Sequence, residues 1–122
     1  MMKTIIAGSR DFNDYETLLA VLLKVGWHIS EVVSGGAHGV DQLGERFAKA
    51  NGITYTVFKA DWDQFGRRAG MLRNKEMANY ADACVVIWNG HSSGSADMIE
   101  TAMNECRLTM VYNLSVKRKE EK

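Results

Sequence analysis

The sequence predicts an α/β fold, an open parallel sheet of about five strands flanked by helices. Strand-like and helix-like stretches alternate from end to end, the order expected when crossover helices join parallel strands. The chain has 122 residues, of which 46% are hydrophobic and 25% charged, enough apolar surface for one contiguous core. Three of the strand-like runs are followed by turns rich in glycine, serine and polar groups, which is where an open parallel sheet keeps its ligand crevice.

Taken in order, Thr4–Ala7 is a short β-rich run, and Tyr15–Val25 follows as a helix with Leu18, Leu19, Leu22 and Leu23 at helical spacing. Glu31–Ser34 is the second strand. Val40–Ala50 is a helix with Val40, Leu43, Phe47 and Ala48 on one face, ended by Asn51-Gly52, residues that tolerate the left-handed region. Ile53–Phe58 is the third strand. The longer segment Lys59–Ala81 has a polar aromatic front (Asp61, Trp62, Asp63, Phe65) and a helix-like second half from Met71 to Tyr80; connections of this length tend to carry function. Ala83–Trp88, the most apolar run, is the fourth strand and is expected centrally. Met98–Cys106 is helical and Thr109–Tyr112 is the last strand. The arrangement is Rossmann-like, with a single domain expected over residues 1–116 and a charged, disordered tail over 117–122.

Lys+Arg and Asp+Glu balance at 15 each, which disfavours a nucleic-acid partner, since proteins that grip nucleic acid carry a basic face. Cys84 and Cys106 have neither CxxC spacing nor a His/Cys cluster, so buried reduced thiols and no metal site are expected. Met1–Gly8 is too short for a signal sequence and no apolar run approaches membrane-spanning length, so a cytoplasmic protein with no membrane partner is expected.

The residues after the strands are the candidate site. Gly8-Ser9-Arg10-Asp11-Phe12 follows the first, Ser34-Gly35-Gly36-Ala37-His38-Gly39-Val40-Asp41 the second and Asn89–Ser95 the fourth. The second joins a strand to a helix, whose unsatisfied amides and dipole favour a phosphate, and its glycines let backbone approach a ligand. It is neither a Walker A loop nor a GxGxxG fingerprint. A plain tight turn, with Asp41 complementing the helix dipole, explains the same residues equally well. Gly90–Asp97 opens another helix, although Ser95 as an N-cap accounts for it too. Arg10 and Arg73 can clamp phosphate bidentately, or pair locally with Asp11 and Glu76. Trp62 and Phe65 can stack on a base or anchor packing. His38 and His91 can act as acid or base, or stand exposed. No Ser/His/Asp or Cys/His set is present.

In this order Gly8–Phe12, Ser34–Asp41, Ala60-Asp61-Trp62, Arg67-Arg68-Ala69-Gly70, Arg73-Asn74 and Ser93-Gly94-Ser95 resemble the YspA-like branch of the SLOG superfamily, up to about Ala102. The resemblance implies a Rossmann-like domain that forms homo-oligomers and takes a nucleotide-type ligand. The superfamily includes the LOG phosphoribohydrolases, which release a base from a nucleoside monophosphate, and the DNA-processing protein DprA. The glycine loop with Asp41 resembles the DprA-type phosphate loop. Arg73 and Met77 resemble the first and last positions of the LOG Arg-Lys-x-x-Met stretch, with Asn74 in place of its Lys. Gly94-Ser95 resembles the Gly-Thr of Gly-Gly-x-Gly-Thr-x-x-Glu, and the catalytic Glu of that motif falls on Met98, which cannot ionise.

The implied function is binding of a nucleotide or ribose-phosphate ligand, by a sensor or sequestering protein, without a cofactor. Its expected contacts are Gly8, Ser9, Arg10, Ser34, Gly35, Gly36, His38, Gly39, Asp41, Trp62, Arg73, Asn74, Ser93, Gly94 and Ser95. The alternative is a phosphoribohydrolase-like cleavage of an N-glycosidic bond, with Arg73, Asp97 and Glu100 as candidate catalytic residues. A DNA-handling module comes third, against the neutral charge.

Overall fold

The computed structural model describes residues 2–115. The strands are β1 (Met2–Gly8), β2 (Ile29–Ser34), β3 (Thr54–Val57), β4 (Ala83–Trp88) and β5 (Leu108–Asn113). They form one parallel sheet in the order β3-β2-β1-β4-β5. The helices are α1 (Tyr15–Leu23), α2 (Val40–Ala50), the single turn α3 (Trp62–Phe65), α4 (Arg68–Tyr80) and α5 (Ser93–Glu105). This is the α/β, Rossmann-like arrangement expected. The domain limit at Val116 and the charged tail 117–122 lie outside the described residues.

Side chains alternate across a strand, and here both faces are used. Ile5, Ala7, Val33, Cys84 and Val86 pack under Met77 and Ala78 of α4 and Met98 and Ala102 of α5. Ile6, Val32, Val85 and Ile87 pack under Leu18, Val21 and Leu22 of α1 and Val40 and Ala48 of α2. Burial on both sides is why β1 and β4 read as unbroken apolar runs. β4 is interior, between β1 and β5, and β1 holds the middle of the sheet.

α1 begins at Tyr15 as the sequence predicts, whereas α4 and α5 begin at Arg68 and Ser93, ahead of the expected Met71 and Met98. Asp14 opens α1 by accepting from the Thr17 amide at 3.1 Å and the Thr17 hydroxyl at 2.6 Å. Asp61 caps α3 through the Gln64 amide at 3.1 Å, making a helical turn of the polar aromatic front. α5 begins at Ser93 instead of Met98, with Ser92 and not Ser95 as its N-cap. The Asn89 side chain accepts from the amides of His91 and Ser92, at 3.0 and 2.8 Å, and turns the chain before the apolar spacing begins.

Cys84 is buried, while Cys106, expected buried, is only partly so because it sits at the C-cap of α5. Burial pushes both thiols above the ordinary range. Among the described residues no helix is long and apolar enough to cross a membrane.

Candidate functional site

Helix crossovers leave β1 and β4 in opposite directions, and at that switch point a crevice of about 890 Å³ opens beyond the carboxyl ends of the strands. Its walls come from the glycine loop, from α3 and α4, and from the first turn of α5.

The glycine loop is held from within. Gly39, the N-cap of α2, has φ +82°, and a Cβ there would stand 2.2 Å from the Ser9 carbonyl oxygen, so only glycine fits. Asp41, 5% exposed, accepts at Oδ2 from the amides of Gly35 at 3.1 Å and Ala37 at 3.3 Å. Between these two, the Gly36 amide donates to Ser34 Oγ at 3.0 Å, and that hydroxyl donates to Glu45 Oε2 at 2.7 Å. Burial pushes the Asp41 carboxyl up to about 6, against the loop amides and the Arg73 charge, which hold it down.

Arg73 reaches this loop from α4 instead of pairing with Glu76. Its Nη1 donates to the Gly35 carbonyl at 2.6 Å and its Nε to Asn74 Oδ1 at 3.1 Å. A Cβ on Gly35 would come within 2.6 Å of that Nη1 and 2.8 Å of Asp41 Oδ2, so this glycine admits the clamp. Burial draws the Arg73 pKa down, Asp41 opposes this, and the charge of Arg10 adds to the lowering. Both guanidinium groups line the same crevice, an arrangement of like charge that an anion there would offset.

Asn74, 5% exposed, ties α4 to α5. Its Nδ2 donates to Asp97 Oδ2 at 2.9 Å and to the Gly94 carbonyl at 3.4 Å. α5 has no side-chain cap, and among the described residues the amides of Ser93, Gly94 and Ser95 find no acceptor. Such a free first turn, at the positive end of the helix dipole, favours an anion.

Of the residues singled out in the sequence, Gly8, Arg10, Gly35, Gly36, Asp41, Trp62, Arg73, Asn74, Ser93, Gly94, Ser95, Asp97 and Glu100 line the crevice. Ser9, Ser34, His38 and Gly39 do not. Ser9 is buried and clasps β1 to β4, its amide donating to the Ile87 carbonyl at 3.0 Å and its Oγ accepting from the Asn89 amide at 2.8 Å. His38 and His91 are exposed outside the lining. Met98, at the place of the LOG acid, is 2% exposed and joins the crevice wall to the core. The sequence reading gives Lys59 and Arg67 no contact role, although they also line the crevice. Lys59 opens the long segment after the third strand and Arg67 stands in the family-like run Arg67–Gly70, but only Trp62, Phe65, Arg73 and Asn74 of that segment are singled out for contact.

A family model described as YAcAr, the YspA, cpYpsA-related SLOG family, matches residues 2–65, from β1 through α3. The chain belongs to that family. The gene 61 protein of Mycobacterium phage D29 is 34% identical over 111 residues, 84% of this chain and 89% of its own length. No solved structure matches. In this SLOG chain the matched half supplies the glycine loop, Asp41 and Trp62, while Arg73, Asn74 and the start of α5 lie beyond it. Both halves build the crevice.

Proposed function

We propose that the crevice binds a nucleotide or a nucleotide-derived ribose phosphate, and that the protein acts as a sensor or sequestering protein for it. The observation that carries this reading is the pairing of Arg10 and Arg73 with the acceptor-free first turn of α5 in one crevice. The phosphate lies on the amides of Ser93, Gly94 and Ser95, with Arg73 as its clamp. The glycine loop serves as a preset wall, since Asp41 and Ser34 already hold its amides at positions 35 to 37. SLOG membership supports a nucleotide-related role. Trp62, 54% exposed at the mouth, is the surface for a base.

Calorimetry with AMP, ADP-ribose, NAD and cyclic nucleotides tests the reading. At least one binds, and Arg73→Ala weakens it roughly tenfold to a hundredfold, the loss of one charge-assisted contact. Absence of binding across the panel overturns it. A second reading, N-glycosidic hydrolysis, draws support from Asp97, which Asn74 holds in the crevice wall. Free base detected by mass spectrometry over many turnovers, and lost in Asp97→Asn, would favour hydrolysis over binding alone.

A further inference from the structure

The peptide of Gly35 joins two opposite charges. Its amide donates to Asp41 Oδ2 at 3.1 Å, and its carbonyl accepts from Arg73 Nη1 at 2.6 Å. A Cβ on Gly35 would stand 2.8 Å from that carboxylate oxygen and 2.6 Å from that guanidinium nitrogen, so both groups reach the same side of this glycine. Asp41 is buried and Arg73 partly so, which leaves little water to screen one from the other. Both line the crevice. The clamp for an anion therefore carries its own counter-charge, one that a proton can remove.

The other groups around Asp41 do not share that property. The amides of Gly8 from β1 and Ala37 from the loop are fixed donors. Cys84 of β4 is fully buried, and its thiol is pushed far above the ordinary range, so it stays uncharged. Glu45, on the same helix as Asp41, is turned to Ser34 Oγ at 2.7 Å. Arg73 comes from α4, with the charge of Arg10 near it, and both remain cationic at every pH at which the fold is used. His38, on the glycine loop, is exposed outside the lining.

We infer that Asp41 couples anion binding in the crevice to proton uptake: ionised, it offsets the charge of Arg73, and protonated, it leaves that charge to the ligand. This rests on the nucleotide-binding reading above. A bound phosphate repels the Asp41 carboxylate and so favours its protonated form, and by reciprocity the proton tightens the phosphate. The free carboxyl titrates at about 6. Affinity is therefore highest below that pH, falls as pH rises through it, and is level once Asp41 is ionised in the bound state too.

Titration calorimetry of the full chain with ADP-ribose and NAD tests the coupling, because their diphosphate esters keep one charge over this range whereas a monoester such as AMP itself titrates near about 6. Affinity falls about tenfold from pH 5 to pH 8, equivalent to one unit of displacement in the Asp41 titration. At pH 6.5 binding takes up roughly half a proton, read from the dependence of the heat on the buffer. Asp41→Asn, fixed in the neutral form, binds with the acidic-pH strength of wild type throughout and takes up no proton. With AMP, the difference between wild type and this variant carries the same tenfold. His38→Gln keeps the full pH dependence. In wild type alone, NMR of the Asp41 carboxyl carbon gives a midpoint that moves up by about one unit when the nucleotide is bound. If a nucleotide binds but the Asp41 midpoint stays in place, or Asp41→Asn keeps the pH dependence, the coupling falls while the nucleotide reading stands. If no nucleotide binds, both fall.

Discussion

The Asp41 carboxyl titrates near 6 in the folded chain and near 3.8 when exposed. Between those values the folded state keeps a proton that the unfolded state releases, so stability falls as pH rises from about 4 to about 6 and is level above. The difference of about two units corresponds to roughly 3 kcal/mol at neutral pH. That is about what full burial of its neighbour Val40 contributes, so the fold carries it. Asp41→Asn should flatten this part of the profile: urea unfolding at pH 4.5 and pH 7 should show wild type losing stability over the interval and the variant losing much less. An equal slope in both would mean that another group titrates there. The sequence marked Asp41 as a first-turn carboxylate, which it is. It could not show that the side chain turns back onto Gly35 and Ala37, because that contact depends on how α2 seats against β1.

Single elements aim the crevice as much as single residues do. α3 is one turn long and α4 begins three residues later, so Trp62 lies across Gly70. Gly70→Val would add helix propensity to α4 while pushing the indole off its seat. The expected result is a stability change within about 1 kcal/mol, together with a shift in Trp62 emission. The shift is read against the same substitution in a Trp62→Phe background, because Trp27 and Trp88 also emit. Unchanged emission would place the indole elsewhere. Apolar spacing located α2 and β4 to the residue, since both faces of β4 and one face of α2 are buried. It set α5 five residues late, because Ser93–Asp97 are placed by Asn89 and Asn74, and polar bonds leave no period to read.

Over the whole molecule the sheet class was legible from the alternation of elements, and the place of the crevice followed from it. The strand order was not, since it depends on which strands meet. β1 pairs on one side with β2 and on the other with β4, where Gly8 meets Ile87 and the Asn89 amide reaches Ser9 across eighty positions of sequence. Contacts of such separation slow folding, because a long loop must close before it is repaid. They also order events on the ribosome. A chain released only as far as Phe65 holds the glycine loop and Asp41 but lacks Arg73, and one edge of β1 is left open with Ile5 uncovered. A fragment of residues 1–65 should therefore give no cooperative thermal transition by circular dichroism, whereas the full chain should give one. The crevice has no complete wall, and the sheet no settled core, until everything from β1 through α5 is out of the tunnel together.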